Sequence, residues 1–265
     1  MTAADTRHAM TPAEVRAAIR TGAIHSTTAR LAPDYVQANL IVVPRAYASE
    51  VEDLCARNPT PCPLVEALAP GASAPRCAPG ADLRTDLGRY RVWRDGELVE
   101  EPRDVLAHWS DDRVAFLIGC SFTFDHALAA AGLPPRHSTT GRNVPMYRTR
   151  VPLAAAGRLR GTMVVSMRPY KAHEVERARD VTRPFRIGHG EPVAWGDPEQ
   201  LGIDDIARPD YGDPPLLEAG DVPVFWGCGV TPQAVIVASR LPFAITHQPG
   251  YMFVTDLPHD ALRSG

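Results

Sequence analysis

Long apolar runs are missing from this chain. The longest, Val114 to Cys120 and Val222 to Val230, fall far short of the roughly 20 residues a bilayer-spanning helix needs. Met1 to Met10 is polar and has no apolar stretch of the kind a secretory signal carries. No basic block stands out among 28 basic and 31 acidic side chains, so electrostatics gives no case for nucleic acid or an anionic membrane surface. Cysteine is sparse. The five (Cys55, Cys62, Cys77, Cys120 and Cys228) are odd in number, widely spaced and without a CxxC pair, which excludes a zinc spacing and argues for reduced thiols in a cytoplasm. Pro59 after Asn58 removes a glycosylation site, and Gly227-x-Gly229 is too short for a dinucleotide or phosphate loop.

What is present reads as a globular protein. Hydrophobic residues make up 45% and charged residues 22% of 265 positions, enough for one large domain or two small ones. Thr11-Pro12-Ala13-Glu14 is a capping box with proline at the first helical position, and Gly22 is its stop. Ala38 to Val43 predicts a buried strand, and Tyr47, Val51, Leu54 and Cys55 share one helical face. Pro59 to Pro79 reads as an irregular excursion that leaves Cys62 and Cys77 at or near the surface. Asp95-Gly96 marks a hairpin. Val114 to Gly119 predicts a strand with Ser121 capping the next helix, and Val222 to Trp226 a strand with Thr231-Pro232 opening another. A strand-rich middle lies between these βαβα ends. The expected architecture is α/β: an α/β/α layered main domain formed by 1–140 with 222–265, and a smaller inserted α+β domain over 141–221.

The two cysteine-bearing strand-to-helix turns, at Cys120 and Cys228, are the first candidates for chemistry. In a parallel sheet such turns line the ligand crevice, and a helix N-terminus favours a carboxylate and depresses a thiol pKa. Packing as small buried residues is the alternative for both. Thr231 and Gln233 could receive a carboxylate or amide, though a threonine there also caps a helix. Asn143, Tyr147 and Arg148 form one polar cluster; Ser166 and Arg168 form another. An arginine among hydrogen-bonding neighbours suits a carboxylate clamp, and equally a solvated strand edge. His247 at a strand end could move protons or be a satisfied core histidine, and His189 between two glycines could approach a ligand or simply turn the chain.

Seven segments in order, among them Asp34-Tyr35-Val36-Gln37-Ala38-Asn39-Leu40, Ala115-Phe116-Leu117-Ile118-Gly119-Cys120-Ser121-Phe122, Asn143-Val144-Pro145-Met146-Tyr147-Arg148-Thr149 and Trp226-x-Cys228-Gly229-Val230-Thr231-Pro232-Gln233, resemble the D-glutamate cyclase family. The likeness runs from Arg16 to Asp256. Asp125 departs from it by standing where the family carries glutamate, and Gly227 by standing where it carries alanine. The resemblance implies an α/β hydro-lyase that closes D-glutamate to 5-oxo-D-proline. On that expectation Arg148 or Arg168 clamps the α-carboxylate, and Ser121, Asn143, Tyr147 and Ser166 help bind the substrate. Thr231 and Gln233 hold the oxyanion, His247 or Asp125 moves protons, and Cys228 or Cys120 is acid, base or transient nucleophile. A divalent metal, Mn²⁺ or Mg²⁺, could replace the acid, with no ligands assigned. The expected partner is a small-molecule carboxylate, with no nucleic acid and no membrane, and a homo-oligomer left open. A dehydratase of hydroxy acids and a non-catalytic carboxylate-binding protein remain the alternatives.

Overall fold

The computed structural model describes residues 10–29 and 31–259. The polar stretch read over Met1 to Met10 therefore lies, apart from Met10, outside the described residues. In chain order the strands are β1 (Tyr35–Pro44), β2 (Leu64–Ala67), β3 (Tyr90–Arg94), β4 (Glu97–Glu100), β5 (Arg113–Gly119), β6 (Met146–Pro152), β7 (Thr162–Lys171), β8 (Ala194–Trp195), β9 (Asp221–Gly227), β10 (Ala244–His247) and β11 (Phe253–Pro258). The helices are α1 (Pro12–Thr21), α2 (Ala48–Arg57), α3 (Phe122–Ala130), α4 (Arg136–Thr139), α5 (Val175–Thr182) and α6 (Val230–Ala238).

Local signals placed many of these. Thr11 and Glu14 close the capping box on α1, with the Thr11 hydroxyl accepting the Glu14 N–H at 3.3 Å; such a cap contributes about 1 kcal/mol. Asp95 and Gly96 both have positive φ, as a two-residue hairpin joining right-twisted strands demands.

The fold is mixed α/β with two sheets. One has the order β2-β5-β1-β10-β3-β4 with β11 added to β1; the other runs β6-β7-β9-β8. Pairing between the described strands is antiparallel throughout, so the crevice of a parallel sheet is not what shapes this molecule. β9 pairs with β7 over seven residues and so joins the second sheet, beyond the boundary expected at 221. The stretch after Pro59 is more ordered than its composition suggests: β2 pairs with β5, and Glu66 receives the Arg76 and Cys77 backbone N–H groups. Cys62 and Cys77 are accordingly buried, on opposite faces of the large sheet, rather than near the surface.

Alternation along β1 sends Leu40 and Val42 to one core, and Ile41 and Val43 to the other. The second core is closed by α2 and α6. Because α6 also packs on β7, it joins the two sheets. A third core, holding Phe124, Tyr170 and Trp226, lies between α3, α5 and the small sheet.

Candidate active site

β5 and β9 end at the same place from different sheets. β5 delivers Gly119-Cys120-Ser121 to the start of α3, and β9 delivers Cys228-Gly229 to the start of α6. Asn39 on β1 joins them, its Nδ2 donating to the Gly119 carbonyl at 2.8 Å and the Ile118 carbonyl at 3.2 Å. A Cβ on Gly229 would overlap Asn39 Nδ2 and lie 2.6 Å from the Gly119 oxygen, and one on Gly119 would overlap the Ile187 carbonyl. The turns meet because Gly229 lacks a side chain, and Gly119 lacks one where the Ile187 backbone crosses it.

The sulfur chemistry runs opposite to the helix-end expectation. Burial pushes the Cys120 thiol well up, outweighing the Phe122 N–H that Cys120 Sγ accepts at 3.5 Å. Burial likewise pushes Cys228 up to about 11, against the smaller lowering effect of the Val230 N–H. Desolvation of the charged form beats the helix terminus, so both are neutral thiols at neutral pH. The Thr123 and Thr231 N–H groups go to the Cys120 and Cys228 carbonyls, which leaves less of each helix end for an anion.

The strongest assembly is built on Arg168, which is fully buried on β7. Its Nε donates to Asp125 Oδ1 at 2.8 Å and its Nη2 lies 2.7 Å from the same oxygen. Nη1 reaches Ser166 Oγ at 3.2 Å and Nη2 reaches Ser121 Oγ at 3.1 Å. The guanidinium also sits 4.8 Å from the Phe124 ring and 5.3 Å from the Trp226 ring, a cation–π setting. Ser121 thus serves the arginine and makes no side-chain cap to α3. Burial would raise the Asp125 carboxyl, but Arg168 and His137 outweigh it and hold it below the ordinary carboxylate range.

His137 and Ser138 are members that sequence reasoning missed, since Arg136-His137-Ser138-Thr139 matches no spacing rule. His137 Nε2 lies 3.1 Å from Asp125 Oδ2 and 3.2 Å from Ser138 Oγ. Because an ionised carboxylate only accepts, this nitrogen carries the proton and Nδ1 holds the lone pair; the tautomer is assigned from that bond. Burial lowers the His137 pKa despite the raising effect of Asp125, so the ring is neutral at neutral pH.

A cleft of about 230 Å³ opens onto this assembly. Pro33, Tyr35, Phe122, Ala129 and Pro134 give it apolar walls, while Asp125, Ser138 and Gln37 give it polar ends. A larger groove of about 590 Å³ lies beyond α3, between Asp34, Asp180 and His259, but none of its lining residues belongs to the Arg168 assembly.

The remaining candidates are scattered. Tyr147 faces the other side of the small sheet, against Met167 and Phe225, with its hydroxyl donating to the Ile206 carbonyl at 2.6 Å. Arg148 is exposed and holds the Tyr211 hydroxyl at 2.8 Å. Neither is joined to Arg168. His247 lies on the large sheet with Nδ1 3.3 Å from the Leu40 N–H; burial lowers its pKa to about 4, so it is a neutral core histidine. The Thr231 hydroxyl is spent twice on Val164, accepting its N–H at 3.0 Å and donating to its carbonyl at 3.1 Å. Gln233 is buried, with Oε1 lacking a hydrogen bond among the described residues. Asn143 Oδ1 is in the same state.

His189 is the unexpected neighbour. It adopts φ 80°, a left-handed conformation costly for a residue with a Cβ. Its Nδ1 donates to the Thr60 carbonyl at 2.8 Å, while Nε2 is buried without a partner among the described residues. Burial lowers its pKa to about 4.

No three His, Cys, Asp or Glu side chains among the described residues converge in a way that could hold a metal ion. No helix of the described residues is long and apolar enough to cross a membrane. A part-buried carboxylate, a buried guanidinium and a neutral imidazole meet at the edge of a small cleft, an arrangement able to move protons.

Comparison with known proteins gives the family. The family model for D-glutamate cyclase matches residues 114–256. A relative from Rhodococcus jostii (strain RHA1) is 55% identical over 93% of this chain and 94% of its own length. Another, from Streptomyces coelicolor, is 54% identical over 97% of this chain and 92% of its own; a third, from Stutzerimonas stutzeri, is 54% identical over 96% of both. All three bear the name "Putative hydro-lyase". A solved nitrogen repressor-like protein from Methanococcus jannaschii superposes with a TM-score of 0.38 at 10% identity, over 82% of this chain and 86% of that one, too distant to bear on function. The chain belongs to the D-glutamate cyclase family and is an enzyme of the hydro-lyase class.

Proposed function

We propose that the enzyme closes D-glutamate to 5-oxo-D-proline with loss of water, as a cytoplasmic step of amino acid metabolism. The observation that carries this reading is the Asp125–His137–Arg168 assembly beside the cleft, in a chain of this family. Ring closure forms a C–N bond between the amine and the γ-carboxyl carbon and breaks one of its C–O bonds. The ammonium gives up two protons, and the departing oxygen leaves with both as water.

A neutral His137 is the base for the amine, taking the proton at Nδ1. The Asp125 carboxylate at Nε2 stabilises the imidazolium that results. Arg168 keeps Asp125 ionised and placed, with Ser121 and Ser166 bracing the guanidinium; it acts as a positioning residue and not as the carboxylate clamp. Cys120, held as a thiol, gives its proton to the leaving oxygen and is reprotonated by the His137 imidazolium; His137 passes on both protons that the ammonium loses, so each ends in the departing water and both side chains return to their starting state. Incubation with D-glutamate, L-glutamate and a panel of 2- and 3-hydroxy acids, with and without Mn²⁺ or Mg²⁺, tests it by chromatography of products. 5-Oxo-D-proline from D-glutamate is expected. An unsaturated acid from a hydroxy acid, with no 5-oxoproline, would overturn the cyclase reading.

A further inference from the structure

His189 combines a strained backbone with a half-satisfied side chain, in a turn packed on the first cysteine segment. It is held at φ 80° between Gly188 and Gly190, and Gly190 is left-handed as well. The turn that carries it, Arg186–Gly188, is closed by the Gly188 and Gly190 N–H groups, which donate to the Phe185 carbonyl at 2.8 and 2.9 Å. Phe185 is packed in the third core with Phe124 and Trp226. Packing therefore holds the strained conformation in place.

The contacts of this turn explain where the strain is used. The Ile187 carbonyl crosses Gly119 where a Cβ would stand. Gly188 passes so close to Cys120 that its own Cβ would lie 3.5 Å from the Cys120 carbonyl and 3.2 Å from Thr123 Cβ. The His189 ring then reaches the Thr60 carbonyl, to which Nδ1 donates at 2.8 Å. Thr60 opens a segment that touches both strand ends. Its carbonyl is 3.2 Å from where a Cβ on Gly227 would stand, and the Pro63 carbonyl accepts the Gly119 N–H at 2.9 Å. One imidazole thus ties the end of β5 to the end of β9 through residues 60–63. It does so while Nε2, which carries the lone pair, stays buried with no donor among the described residues. Asparagine or glycine would hold φ 80° with less strain, yet histidine stands there.

We propose that His189 is a positioning residue whose bond to Thr60 clamps the two cysteine turns in register. The clamp keeps the Cys120 thiol where it gives its proton to the leaving oxygen, and Ser121 where it braces Arg168. The proposal rests on the cyclase reading for the use made of Cys120, and deepens it by naming what holds that thiol in place. His189 takes no proton itself; its effect passes through the backbone at Gly119 and Gly227. Strain and an unmet acceptor at one residue beside a site are what a fold tolerates where placement serves the chemistry.

The test compares the full chain as wild type, His189→Gly and His189→Asn. The readouts are initial rates on D-glutamate and maleimide labelling of each cysteine, resolved by peptide mass mapping. Glycine relieves the strain and removes the clamp. Asparagine also accepts the left-handed conformation, and its Nδ2 stands where Nδ1 stood and restores the bond to Thr60. His189→Gly is expected to lower kcat by about 10- to 100-fold, the range for a displacement near 1 Å at reacting groups, with KM within about twofold. Cys120 and Cys228 should label at least about tenfold faster than in wild type, as a local opening allows. Cys77, in the core with Leu40 and Val42, should keep its rate. His189→Asn should return kcat to within about threefold of wild type and labelling to the wild-type pattern. A His189→Gly protein with wild-type kcat, one that does not fold, or one whose Cys77 is unmasked as much as Cys120 leaves His189 a structural residue and overturns the proposal. An asparagine variant as impaired as the glycine one overturns it too. If wild type forms no 5-oxoproline while His189→Gly unmasks Cys120 and Cys228 alone, the cyclase reading falls and the clamp stands.

Discussion

Replacing Asp125 by Asn isolates the carboxylate on which the site depends. The substitution keeps shape and removes the only carboxylate paired with Arg168 among the described residues, leaving a fully buried guanidinium with two serine hydroxyls and two aromatic rings. Breaking one partner of a buried ion pair costs about 3–5 kcal/mol, because the surviving charge keeps its desolvation penalty without its Coulomb partner. For a chain of this size each kcal/mol moves the melting point by about 2–4 °C, so a fall of roughly 6–20 °C is expected by calorimetry. Asp125→Leu with Arg168→Met removes both charges and is expected to recover most of that loss while remaining inactive. The pH profile gives an independent readout. Asp125 raises the His137 pKa against burial, so its removal shifts the acid limb of kcat to lower pH where activity survives. An Asp125→Asn protein that melts within about 2 °C of wild type, on the same scale, with an unmoved pH profile would refute the argument.

Three further outcomes follow from the same structure. His189 and His247 both have folded pKa values lowered to about 4 by burial, so the unfolded chain binds more protons between about pH 4 and 6.5. Stability should therefore rise with pH across that window, by about 3 kcal/mol for each, and His247→Gln should flatten the rise in urea titrations by roughly half. The five cysteines are free and buried, with burial holding the Cys120 and Cys228 thiols neutral. A thiol reagent at pH 8 should find no fast-reacting group in the native protein and five after denaturation; one fast native thiol would contradict the protonated assignment. Gly229→Ala places a methyl against Asn39 and the Gly119 carbonyl and is expected to cost about 3 kcal/mol or more in denaturant unfolding, with a soluble, wild-type-like variant ruling out the close turn contact.

Much of the framework was legible because its causes are local. The capping box at Thr11, the β-branched run in β1, the Asp95-Gly96 turn and the apolar strand ahead of each cysteine act within a few residues. Pattern reading also singled out two segments that the fold brings together, since both cysteine turns meet at Asn39. The roles within them were harder to read. Ser121 and Thr231 have the composition of helix caps, yet one braces Arg168 and the other closes on Val164, because a hydroxyl binds whichever partner the fold brings within 3 Å. Tyr147 and Arg148 are neighbours of an inward strand position, but alternation sends Tyr147 to the opposite face and the strand's edge leaves Arg148 in solvent.

The sequence by itself determined the class of fold, the family, and where strands turn into helices, since these rest on period, caps and motif order. Only the tertiary structure decided the antiparallel pairing, the burial of Cys62 and Cys77, and the partner of Arg168. Asp125 lies 43 residues before Arg168, and His137 falls between them, 12 residues after Asp125. No local pattern encodes such meetings. It also reversed the sign of the thiol argument, because the pull of a helix end reaches about one turn, whereas loss of water around a buried sulfur acts from every side.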